Sequence, residues 1–126
     1  MKIEYKDGLI FTTIEIWFRN QSKIIDNIVI DTGASMSIIS PDIVDDIGIF
    51  AEPKDRIVSS MGVGGSIHNS FEKDIDMIKI ENRKINNIKL DFGIIDPNGE
   101  INGLLGLDVL MELESIIDLK SFEIRF

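Results

Sequence analysis

Runs of β-branched and aromatic residues, cut at short intervals by turn residues, predict an all-β domain of mostly antiparallel strands. From Leu9 to Phe18 almost every residue is a strand former. Between Ile88 and Ile94 the apolar residues Ile88, Leu90, Phe92 and Ile94 alternate strictly with Lys89, Asp91 and Gly93. That is the two-residue period of a strand with one buried face. Turn chemistry recurs between such runs, at Asp7-Gly8, Asn20-Gln21-Ser22, Glu81-Asn82-Arg83 and Asp96-Pro97-Asn98-Gly99. A chain of 126 residues is long enough for a real core and too short for two, so residues 1–126 read as one domain.

Each element follows from local chemistry. Met1–Tyr5 is a short strand, and Asp7-Gly8 turns it into the long strand Leu9–Phe18. After Asn20-Gln21-Ser22, Lys23–Ile30 returns with Ile24, Ile28 and Ile30 on one face. Met36–Ser40 is a further strand, ended by Pro41. Ser40-Pro41-Asp42 reads as a helix start, with an N-cap serine, proline at the first position and an acid in the first turn. Ile43 and Ile47 share its buried side, and Gly48 can close it after two turns at most. Glu52–Asp55 is a polar connector. Residues 57–68 carry Gly62, Gly64 and Gly65 between strand-like stretches, a flexible loop on composition alone. No helix-forming run or Gly-Lys-Ser/Thr follows, which argues against a phosphate loop. Asp74–Ile80 and Ile85–Ile95 are strands, and Ile116–Leu119 with Phe122–Phe126 forms a closing hairpin around Lys120-Ser121.

Composition removes several functions. There is no cysteine, which excludes thiol catalysis, disulfides and thiolate zinc sites. The net charge of −9 argues against nucleic-acid binding, which needs basic patches. No apolar run exceeds three residues, so neither a membrane span nor a signal-peptide core is expected, and a cytoplasmic location follows by default. Nothing points to a metal or another cofactor. Asp91-Phe92-Gly93 spells a kinase metal motif but lacks its lysine strand, its catalytic loop and the necessary length.

The chemistry sits at Ile28-Val29-Ile30-Asp31-Thr32-Gly33-Ala34-Ser35. Three strand formers drive into a carboxylate on a tight turn. Gly33 permits backbone angles and close approaches that a Cβ would forbid, and Ala34 leaves room beside the acid. Thr32 offers a hydroxyl to backbone groups. This stretch resembles the active-site loop of retropepsin-like aspartic proteases, and two later segments follow the family's order. Met61-Gly62-Val63-Gly64-Gly65 looks like the flap that folds over substrate. Leu104-Leu105-Gly106, followed by Leu107-Asp108-Val109-Leu110, looks like the apolar-apolar-Gly element and short helix that cross behind the catalytic loop. The resemblance covers roughly residues 9–119.

That resemblance implies a closed barrel, with Asp31 as the catalytic residue and Thr32, Gly33, Ala34 and Ser35 supporting it. Many retroviral members carry an acid where this chain has Ser35, so substrate preference is expected to differ. No second Asp-Thr-Gly or Asp-Ser-Gly exists here, so a catalytic pair requires a homodimer in which Asp31 of each chain meets at a two-fold axis. Thr32 would bond across to the partner loop, and an extended peptide would lie under the flaps. The competing expectation is a non-catalytic dimerisation or peptide-binding module with the same fold.

Overall fold

The computed structural model describes residues 1–61 and 67–126. Its strands are β1 (Glu4–Lys6), β2 (Leu9–Phe18), β3 (Gln21–Ile30), β4 (Ile38–Ile39), β5 (Ile57–Met61) and β6 (Ile67–Ile80). They continue with β7 (Arg83–Phe92), β8 (Gly103–Leu105), β9 (Ile116–Asp118) and β10 (Glu123–Arg125), with helix α1 (Leu107–Glu112) after β8. The large sheet runs β1-β2-β3-β8-β4-β7-β6-β5. It closes on itself because Glu15, Ile16 and Trp17 of β2 also pair with Lys79, Ile78 and Met77 of β6. Six strands therefore form a barrel, with β1 and β5 outside the ring. Its interior is filled by Ile14, Ile16, Ile25, Ile28, Ile75, Ile78, Leu90, Phe92 and Leu105, each almost fully buried.

The turns obey their residues. Asp7 and Gly8 both take positive φ, 53° and 80°, as a two-residue hairpin turn between right-twisted strands requires. The next turn falls at Arg19-Asn20, with φ of 47° and 67°, so β3 begins at Gln21, earlier than the sequence suggests. Asp96 caps its own turn by accepting the N–H groups of Asn98, Glu100 and Ile101.

Four differences from the sequence pattern have physical causes. Ile24 does not join Ile28 on the inner face but stands 70% exposed, while Ile25 is buried. Register moves from Thr12↔Ile28 to Ile14↔Ile25, and Asn27 has φ 52°. One extra residue in β3 thus forms a bulge that flips the alternation. The region after Ser40 is two 3₁₀ turns, Pro41–Ile43 and Asp45–Ile47, rather than one helix, and Ser40 makes no side-chain cap. The break falls at buried Val44, and Gly48 closes the second turn at φ 87°. Strand β7 ends at Phe92 and Ile94 beyond it is exposed, while Asp91, on the supposedly wetter face, is buried. Finally, Glu52 and Asp55 do more than connect. Both hold the buried Lys73 of β6, with Glu52 Oε1 at 2.7 Å from its Nζ. Burial pulls the Lys73 ammonium down, but its two carboxylate partners outweigh that and leave it above the usual lysine range.

The terminal strands pair with one another. β9 and β10 pair as a hairpin, and Asp118 accepts the N–H groups of Lys120 and Ser121 at its turn. Met1–Ile3 lies against β10, with Ile3 N–H donating to Phe122 O at 3.0 Å and Ile124 N–H to Met1 O at 2.9 Å.

Candidate active site

Strand β3 runs parallel to β8, with Ile28, Val29 and Ile30 opposite Gly103, Leu104 and Leu105. Sequence reasoning expects Leu104-Leu105-Gly106 to lie behind the Asp31 loop, and the ladder brings the two together. It extends one bond past the strand, from Asp31 N–H to Leu105 O at 2.9 Å. There the chain leaves the barrel wall, so Asp31 is half-buried rather than enclosed.

The turn that follows holds the carboxylate. Ala34 N–H returns to Asp31 O at 3.2 Å, and Gly33 N–H donates to Asp31 Oδ1 at 2.9 Å. A Cβ on Gly33 would meet Asp31 Oδ1 at 3.2 Å and crowd the acid itself. Thr32 and Ser35 face outward, and Ala34 is half-buried. Among the described residues, Gly33 is the one donor to the Asp31 carboxylate.

Gly106 is the point of closest approach. A Cβ there would lie 2.7 Å from Ala34 O and 2.9 Å from both the carbonyl carbon and oxygen of Met36. All three are backbone atoms that cannot swing aside. The same holds three residues earlier, where a Cβ on Gly103 would stand 2.8 Å from Ile38 O. Behind Gly106 the start of α1 is stitched to the loop, Leu107 N–H donating to Ala34 O at 2.8 Å and Asp108 N–H to Ser35 O at 3.2 Å.

Two participants escape sequence reading. Ser37 is fully buried, and its Oγ–H donates to Asp108 Oδ1 at 2.7 Å while its Oγ accepts Gly106 N–H at 2.9 Å. The available signal was an acid in the first turn after an apolar-apolar-Gly run, a position where a side chain can reach unpaired N–H groups. Of the residues expected to form a flap, Gly62, Val63, Gly64 and Gly65 lie outside the described residues, and Met61 ends β5 in register with Ile67. No group of three or more metal-binding side chains occurs among the described residues.

A family model described as aspartyl protease matches residues 14–109. Among solved structures, the chain is similar to a retropepsin-like aspartic protease from Rickettsia conorii, with 20% identity and a TM-score of 0.65, over 95% of this chain and 83% of that one. It is also similar to EIAV protease in complex with the inhibitor HBY-793, with 19% identity and a TM-score of 0.63, over 92% of this chain and 99% of that one. No curated protein matches by sequence. The fold is thus retropepsin-like, as the order of motifs implied.

Proposed function

We propose that this chain, which belongs to the aspartyl protease family, is an endopeptidase that works as a homodimer with one Asp31 from each copy. The observation that carries this reading is the single carboxylate at the end of β3, steadied by Gly33 N–H and backed by a loop with no slack at Gly106.

Peptide hydrolysis with neither a nucleophilic side chain nor a metal needs a base to activate water and an acid to polarise the carbonyl. Two carboxylates sharing one proton supply both. The ionised one takes the water's proton as oxygen attacks the carbonyl carbon. The neutral one gives its hydrogen bond, then its proton, to the carbonyl oxygen. Collapse of the tetrahedral species returns a proton to the leaving nitrogen, and the C–N bond breaks. Like charges at such close range cannot both persist, so the mixed state is the populated one. One chain of this size supplies half of that machinery.

Substrate would lie extended, held by backbone bonds of the strand kind. The β5–β6 hairpin is the element assigned to cover it, since its strands stay paired up to Met61↔Ile67 and the glycines at 62, 64 and 65 fall between them.

The test is Asp31→Asn. Cleavage of a peptide mixture should vanish while melting temperature and sedimentation stay close to wild type. Wild-type activity per chain should fall on dilution as dimers dissociate. Cleavage retained by purified Asp31→Asn, or an active monomer, overturns the reading. An inactive wild-type dimer leaves a peptide-binding module instead.

A further inference from the structure

Asp108 makes more hydrogen bonds than its place in a short helix requires. Its Oδ1 accepts Ser37 N–H at 3.0 Å, Ser37 Oγ–H at 2.7 Å and Val109 N–H at 2.9 Å. An oxygen gathering three donors is held from three directions at once. Through Ser37 Oγ the chain of bonds reaches Gly106 N–H, the residue against which the backbone of Ala34 and Met36 packs. The loop that carries Asp31 therefore rests on Asp108.

The other oxygen is the anomaly. Asp108 Oδ2 is buried with no hydrogen-bond partner among the described residues, and Asp91 Oδ1 is in the same condition. Asp91 is 8% exposed and sits on β7 beside Ile38, the residue after Ser37. Around it stand Glu72, its cross-strand neighbour on β6, Asp108 on α1, and Arg56 just before β5. Burial first, then the negative charges of Glu72 and Asp108, push the Asp91 carboxyl above the usual range, and Arg56 opposes them only in part. Two anions with unpaired buried oxygens would be costlier here than one, and protonating Asp91 removes one of the charges.

We propose that Asp108 is a positioning residue for Asp31, acting through Ser37, and that Asp91 stays protonated beside it so that the floor does not bury two charges. The kinetic consequence rests on the aspartic protease reading; the charge assignment does not. The floor of the site then has its own asymmetric carboxyl pair, which sets loop geometry and does no chemistry on substrate.

Infrared difference spectra of wild type against Asp91→Asn at neutral pH test the charge assignment without any substrate. Wild type should show the carbonyl stretch of a buried carboxylic acid that the variant lacks; its absence overturns the assignment of the proton to Asp91. Kinetics of Ser37→Ala and Asp108→Asn, at concentrations where wild type is dimeric, test the positioning. A small misplacement of a reacting group can cost about a hundredfold in rate, so each should lower kcat by about tenfold to a hundredfold with little change in KM. The double variant should be no worse than the worse single one, because both break the same linkage. Full kcat in Asp108→Asn, or losses that simply multiply, overturns the positioning role. If wild type cleaves nothing, the protease reading fails instead. Amide exchange at Ser37 and Gly106 then decides: faster exchange in Asp108→Asn upholds the linkage, and unchanged exchange overturns it.

Discussion

The floor beneath Asp31 and the foot of the β5–β6 hairpin are both held by buried polar groups, but they are made of opposite materials. The floor uses backbone amides, one hydroxyl, one carboxylate oxygen and a glycine whose missing Cβ is the essential dimension. The foot uses full charges. Lys73 is inserted between Asp55 and Glu52, Arg19 stands 3.7 Å from Glu52, and Asp55 also accepts Glu52 N–H at 2.8 Å. The backbone atoms facing Gly106 hold position because they cannot swing aside as a side chain can. An ion cluster around a buried lysine fixes attachment and tolerates small displacements. The difference suits a floor that must aim a carboxylate and a foot that must only keep a long hairpin rooted.

The largest expected effect tests the floor. Gly106→Ala places a methyl 2.7 Å from Ala34 O, so the Asp31 loop must move or the helix must lift. Overpacking of this kind costs about 1–3 kcal/mol of stability. The displaced loop should also remove at least about 99% of the cleavage rate at a temperature where the variant remains folded. Peptide turnover measured beside a denaturant midpoint checks both. Wild-type kcat in Gly106→Ala would mean that the floor is not rigid.

Next comes the foot. Lys73→Met removes the cation and leaves Asp55 buried without its partner, a loss of about 3 kcal/mol for breaking a buried pair from one side. Because the damage lies at the root of the hairpin and not under Asp31, kcat of the folded protein should stay within about threefold of wild type, by the ordinary independence of distant sites. Urea unfolding and saturating turnover separate the two quantities. A kcat loss as deep as that of Gly106→Ala would erase the distinction between the regions.

The same contrast explains what the sequence could and could not tell. Asp31-Thr32-Gly33-Ala34 and Leu104-Leu105-Gly106 were legible because each is a contiguous local signal, a strand running into a turn or a glycine at a crossing. The strand ends Leu9 and Phe18 were legible for the same reason. Lys73, Glu52 and Asp55 were not, since charged residues on a strand and a connector look solvated until tertiary structure folds them together. Ser37 and Asp108 are 71 residues apart, and nothing local announces their bond. Ile24 misled because a bulge depends on the register between two strands, and alternation within one strand cannot reveal it. The single helix expected after Ser40 gave way to two 3₁₀ turns at Val44, whose φ of −121° lies outside the helical range.

The smallest expected effect is the sharpest comparison, since the two regions should respond to pH with opposite sign. Glu52 and Asp55 are held below their ordinary 4.5 and 3.8, chiefly by hydrogen bonds from Lys73. The native state therefore binds those protons more weakly than the unfolded chain does. Stability from the foot is present above the ordinary values and lost as pH falls through the depressed ones. Asp91 is shifted the other way, chiefly by burial, above its ordinary 3.8. The native state holds that proton more tightly, so stability declines as pH rises from 3.8 through the raised value. Urea midpoints of wild type, Lys73→Met and Asp91→Asn, measured from acid to neutral pH, should then diverge in opposite senses. The deficit of Lys73→Met should shrink toward acid, where its carboxylates no longer need a cation. Asp91→Asn should gain on wild type as pH rises, because folding the amide never requires taking up a proton. Parallel curves for all three proteins would show that the charges of foot and floor are not set by the burial and partners seen here.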